Sequence, residues 1–121
     1  GLTIYAVLPA RVPEDKLLEA AELVARANGN EFTVALELDF TNRTVSARAG
    51  LELADVELSQ LDAESMLAIL VAELESVARA YGPAVDAVIS GELSPEQAAH
   101  RGRSARFDER LSVLDGIEDE G

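Results

Sequence analysis

Cysteine and tryptophan are absent from this chain of 121 residues, and histidine, methionine and lysine each occur once. Without cysteine there can be no disulfide, no thiolate metal ligand and no thiol nucleophile, and a reducing compartment is compatible with the composition. Positive charge is also scarce: ten basic residues against 23 acidic ones give a formal charge of −13. Nucleic-acid binding depends on clustered Lys and Arg that displace counterions from phosphate, so DNA and RNA are poor partners for this chain. Long apolar runs are missing too. The longest, Met66 to Ala72, ends at Glu73, well short of the roughly 18 residues of a membrane span. Gly1 opens directly into Leu2-Thr3-Ile4-Tyr5 with no basic leader, which predicts a cytoplasmic rather than a membrane or secreted protein.

What is present is enough apolar material, 48% of residues, to build one core. Leu2, Ile4, Ala6 and Leu8 alternate with Thr3, Tyr5 and Val7, and both sets are largely apolar, which predicts a first strand covered on both sides. Pro13-Glu14-Asp15 supplies a fixed φ and two carboxylates where a helix begins. That helix is expected from Glu14 to Ala27, with Leu17, Ala21, Val24 and Asn28 in one stripe, Leu18 and Ala25 beside it, and a left-handed cap at Asn28-Gly29-Asn30.

A hairpin follows. Phe32 to Phe40 and Val45 to Leu53 alternate apolar and polar, and a two-residue turn at Asn42-Arg43 would pair Phe40 with Val45, Leu38 with Ala47, Leu36 with Ala49, Val34 with Leu51 and Phe32 with Leu53, with Glu37 facing Arg48. Asp62 reads as the cap of a long helix whose core stripe is Met66, Leu67, Leu70, Leu74, Val77 and Tyr81, and Gly82-Pro83 should kink or break it. Ser94-Pro95-Glu96-Gln97 has the form of a capping box, for a short helix Pro95 to His100. The expected class is α+β, an antiparallel sheet of about three strands with helices on one face, spanning residues 1–100. Residues 101–121, with arginines followed by carboxylates, read as a charged, loosely held tail.

No catalytic, cofactor or metal constellation emerges. His100 has no nucleophile in a triad-like arrangement, Glu37 and Asp39 suit a solvated strand face, Glu73 and Glu75 diverge on their helix, and no glycine-rich phosphate loop occurs.

The order of elements carries a resemblance. The strand Leu2-Thr3-Ile4-Tyr5-Ala6-Val7-Leu8-Pro9, the helix ending near Asn28, the hairpin, and the long helix ending Val88-Ile89-Ser90-Gly91 before Ser94-Pro95-Glu96-Gln97-Ala98 resemble the YbjN family of bacterial proteins over Leu2 to Ala99. That family, described as regulators of sensory transduction, is similar in fold to type III secretion chaperones. The resemblance implies a non-catalytic adaptor or chaperone-like regulator that binds other proteins and pairs as a homodimer. Members of the family place a helix and two strands before the strand that opens this chain, so those elements are missing here or replaced from elsewhere.

The residues themselves suggest where contacts would form. Phe107, Leu111 and Leu114 recur at helical spacing in the polar tail and are expected to dock a protein partner by folding on it. Tyr5 and Val7 on the first strand, with Leu17, Leu18 and Val24 on the first helix, are the expected self-association surface of a homodimer. The competing expectation is a small-ligand sensor with a pocket under the long helix, lined by Met66 and Tyr81.

Overall fold

A computed structural model describes residues 1–51 and 59–120. The chain is α+β. Its order is β1 (Leu2–Arg11), a 3-10 turn (Glu14–Lys16), α1 (Leu17–Asn28), β2 (Val34–Asp39), β3 (Thr44–Leu51), α2 (Gln60–Ser90) and α3 (Pro95–Glu120). The three strands form an antiparallel sheet in the order β1-β3-β2, which leaves β1 and β2 as edges. Both α1 and α2 pack on the sheet, and α3 packs on those two helices from behind.

Alternation decides the sheet's faces. Val34 and Leu36 of β2, Val45, Ala47 and Ala49 of β3, and Leu8 of β1 turn into the core with Leu23 of α1 and Leu74, Val77 and Val85 of α2. The opposite face, carrying Tyr5 and Val7, stays open, so β1 is covered on one side and not on both. Its length also exceeds the expected Leu2 to Leu8. Pro9 lies within it, which an edge strand tolerates because no ladder bond depends on a proline N–H there. The register breaks between Val7 and Arg11, and Val12, fully buried, donates its N–H to the Arg43 carbonyl at 2.8 Å.

The hairpin keeps its facing but moves by two residues. Leu38 pairs with Val45, Leu36 with Ala47 and Val34 with Ala49, which leaves Phe40, Thr41, Asn42 and Arg43 as a four-residue loop. Asp39 explains the longer turn. Its carboxylate accepts from the Thr41 and Asn42 amides at 2.9 and 3.0 Å and from the Asn42 side chain at 2.8 Å, and Arg43 adopts left-handed backbone, φ 57°. Those bonds, led by the Asn42 amide, hold the Asp39 carboxyl below its ordinary value. A shift of two preserves which side chains face the core, whereas a shift of one would not. Phe40 loses its strand position and is exposed, and Phe32 lies outside the strand, 98% exposed. The expected partner of Phe32, Leu53, lies outside the described residues.

Helix ends differ from expectation for local reasons. Residue Gly29 is right-handed, φ −63°, because Asn28 is used differently: its side chain both donates to the Leu36 carbonyl at 2.9 Å and accepts from the Leu36 N–H at 2.7 Å. That amide takes the place of a neighbouring strand along the outer edge of β2. The buried stripe of α1 is Ala20, Leu23 and Ala27, with Leu17 and Val24 half-buried against the same core. Helix α2 is capped by Ser59, whose hydroxyl accepts from the Asp62 N–H at 3.1 Å, so the helix starts before Asp62. It runs through Pro83 unbroken to a left-handed Gly91, φ 79°. Pro83 is exposed, so water can serve the carbonyl left without its N–H.

The largest departure is α3. The capping box forms as read, with Gln97 N–H on Ser94 Oγ at 3.2 Å and Ser94 N–H on Gln97 Oε1 at 3.0 Å. But the helix does not stop at His100. Its inner face of Ala98, Ala99, Gly102 and Arg106 is buried, and small residues there bring α3 close to α2. A Cβ on Gly102 would stand 2.4 Å from two ring carbons of Tyr81, which is itself 0% exposed. Alanine gains about 1 kcal/mol of helix propensity over glycine, yet forcing a methyl into this packing costs about 1–3 kcal/mol. Gly102→Ala is therefore expected to lower the urea midpoint; an unchanged or higher midpoint would show that the ring can move aside.

Candidate functional site

Two features stand out on α3, one inside and one outside. The inner one centres on Arg106, only 3% exposed. Its Nε donates to both carboxylate oxygens of Glu31 at 3.2 Å, Nη1 donates to Ser76 Oγ at 2.7 Å, and Nη2 binds the Glu73 carboxylate. Glu31, with its side chain 4% exposed, sits between α1 and β2 and also meets Arg110 at 3.5 Å. Ser76 donates onward to Glu109 at 2.8 Å, and Arg79 closes on the same carboxylate. Burial works against the charged guanidinium of Arg106, but Glu73 and Glu31 outweigh it and hold the group above its ordinary value. The Arg79 bond, assisted by Ser76, holds Glu109 below the usual carboxylate range. Each of the three guanidinium nitrogens donates at least once, so this seam ties α3 to α2 and to the α1–β2 connection.

The Tyr81 ring lies beside it. Burial, reinforced by the Glu31 charge, pushes its hydroxyl above the ordinary phenol value, and the buried oxygen has no hydrogen-bond partner among the described residues.

The outer feature is apolar. Phe107, 60% exposed, and Leu111 and Leu114, also exposed, form one stripe on a helix that is already built, rather than on a tail awaiting a partner. Along the first half of α2, Leu67, Ile69 and Val71 are exposed as well, so Leu67 leaves the core stripe in which its spacing placed it. On α2 a shallow face runs along Glu64, Leu67, Ala68, Val71, Ala72 and Glu75.

The expected self-association residues separate. Tyr5 and Val7 are exposed on the open sheet face and Leu18 is 81% exposed, whereas Leu17 and Val24 pack on the chain's own core. The expected ligand pocket is not formed by its two named residues. Met66 and Tyr81 stand fifteen positions apart on one helix, about 22 Å at 1.5 Å per residue, and Tyr81 is sealed by Gly102.

Other chemistry-bearing groups are engaged or dispersed. His100 is exposed on α3. Glu37 pairs with Arg48 across the strands, Asp39 serves its turn, Glu73 turns to Arg106, and Glu75 lies 3.9 Å from Arg79. No cluster of three or more metal-ligating side chains occurs among the described residues, and no helix there is long and apolar enough to cross a membrane.

Neither protein-family models, nor curated proteins, nor solved structures yield a match to this chain. The resemblance to the YbjN family therefore rests on element order and short residue patterns.

Sequence reasoning missed the Arg106 seam, because its partners lie 30 to 75 positions away. It also missed the second face of α2. The signal was there in part: Ile69 and Val71 cannot share one stripe with Leu70, Leu74 and Val77.

Removing Arg106 takes the counter-charge from Glu73 and leaves the deeply buried Glu31 with Arg110 alone, at 3.5 Å. Arg106→Met should cost about 3–5 kcal/mol in denaturant unfolding, and adding Glu31→Met should recover part of that loss; equal stability of single and double variants would remove the seam's role. Tyr81→Phe deletes a buried hydroxyl that has no partner, so its stability should equal or exceed the parent's by up to about 1 kcal/mol. A clear loss would reveal a bond to the hydroxyl.

Proposed function

We propose that the chain is a non-catalytic protein-binding adaptor or chaperone-like regulator of a bacterial cytoplasm, with the apolar end of the α2/α3 pair as its docking surface. One observation carries this reading: Leu67, Ile69 and Val71 of α2 and Phe107, Leu111, Val113 and Leu114 of α3 are all exposed on two adjacent helices. Exposed apolar side chains clustered on a helix and flanked by charge are a usual mark of an interaction surface. Large anchors such as Phe and Leu on a helix face bind through burial in a partner's groove. The YbjN resemblance supports the same reading, since proteins of similar fold bind segments of other proteins.

The test is affinity capture of the full chain from its native lysate beside the double variant Phe107→Ser, Leu111→Ser. Both positions face solvent, so circular dichroism should stay unchanged. Loss of two such anchors should weaken a partner by about tenfold or more each. A partner recovered in proportion to the wild-type bait and lost from the variant supports the reading; equal recovery by both, or no partner on either, overturns it.

A further inference from the structure

Three polar side chains of α3 stand together without an ionic partner. Glu96, His100 and Arg103 lie with Ala99 on one stripe of the helix, and that stripe faces the end of α1. Together with Ala25, Arg26 and Gly29 of α1 they line a hollow of about 430 Å³. Ala25, Gly29 and the buried Ala99 bring little bulk to it, so the two packed helices leave room between them.

The charges around this hollow are of both signs. Arg26 is committed to Glu22, to which its Nε donates at 2.8 Å, and the Glu96 charge reaches it only through space. Arg103 donates Nε and Nη2 to the Asn30 side-chain oxygen at 3.0 and 2.9 Å. That amide fixes the guanidinium without neutralising it, in a chain where acidic residues outnumber basic ones by 23 to ten. Arg103 meets no carboxylate among the described residues, and Glu96 and His100 make no hydrogen bond or ion pair there. Nor can Glu96 and Arg103 satisfy each other. They stand seven positions apart, about 10 Å along the helix, whereas side chains that pair on a helix are three or four apart.

We propose that the α1/α3 hollow binds a small zwitterion of the ω-amino acid type, with an ammonium and a carboxylate at opposite ends of a short methylene chain. Arg103, held in place by Asn30, donates to the carboxylate, with the His100 ring beside it. Glu96 accepts from the ammonium, and the methylenes lie over Ala25 and Ala99. An α-amino acid carries its charges on neighbouring atoms and cannot reach both anchors. A simple anion would meet Glu96 and a simple cation would meet Arg103, so each is opposed by one end of the site. A ligand with no net charge is also not repelled by a chain of charge −13. This site lies apart from the exposed apolar stripe of α3 and does not depend on the docking reading.

Heteronuclear NMR titration of the full chain tests it, at neutral pH and constant ionic strength, with ε-aminocaproate as probe and caproate, hexylamine and glycine as controls. The probe should give saturable shifts centred on the Glu96, His100 and Arg103 amides. Each control offers one usable charge and should bind about tenfold or more weakly. Arg103→Met and Glu96→Gln, both at exposed positions and folded by circular dichroism, should each weaken the probe by about tenfold. Absence of saturable shifts at these amides, caproate or glycine binding as well as the probe, or unchanged binding by either variant overturns the proposal.

Discussion

The guanidinium of Arg106 is the constraint on which the helical layer depends. It ties α3 to α2 through Glu73 and Ser76 and to the α1–β2 connection through Glu31. A buried cation is acceptable only when its donors are all used and its charge is met. Two carboxylates meet the charge here, with a hydroxyl taking one further N–H, and the geometry they demand restricts how α3 can lie. Surface pairs such as Arg26 with Glu22 add little by comparison, since water screens them.

Once α3 lies along that line, the rest of its surface is assigned. The inner face must be thin where it crosses Tyr81, and glycine at 102 makes it so. On the outer face, Phe107, Leu111 and Leu114 are turned to solvent by the same rotation that buries Arg106, because they stand one, five and eight positions further along a helix of 3.6 residues per turn. The exposed apolar stripe is thus a geometric consequence of the buried ion pairs. A sheet edge is managed in a similar way, by the Asn28 amide standing in for a strand beside Leu36.

Local patterns were read well and distant ones were not. The strands, the capping box at Ser94 and the α+β class follow from alternation and spacing within a few residues. The hairpin's facing was legible, but its exact register was not, because the choice between a two-residue and a four-residue loop turned on Asp39 binding the turn amides. Residues 101 onward looked like a tail, since polar composition normally signals a segment with no core to join. Arginine misleads there: its burial depends on partners far away in sequence, and neither Glu31 nor Ser76 carries any mark of the role. Spacing alone marks the stripe Phe107, Leu111, Leu114, but the helix presenting it forms within the chain and not only on binding.

That difference changes the energetics of any docking event. A segment that folds on its partner must give up roughly 1–2 kcal/mol of backbone entropy per residue as it orders, which offsets much of what three apolar anchors contribute. Here α3 is held by the Arg106 seam before anything binds, so that cost has already been met within the chain's own folding. Burying Phe107, Leu111 and Leu114, at about 1.5–3 kcal/mol for each side chain completely removed from water, then has to offset the loss of translational and rotational freedom but not the ordering of the helix. The acidic face of α2 works against indiscriminate use of that gain, because an apolar helix flanked by carboxylates would be repelled from it. Preorganisation of that stripe traces to the same arginine that fixes α3 on α2.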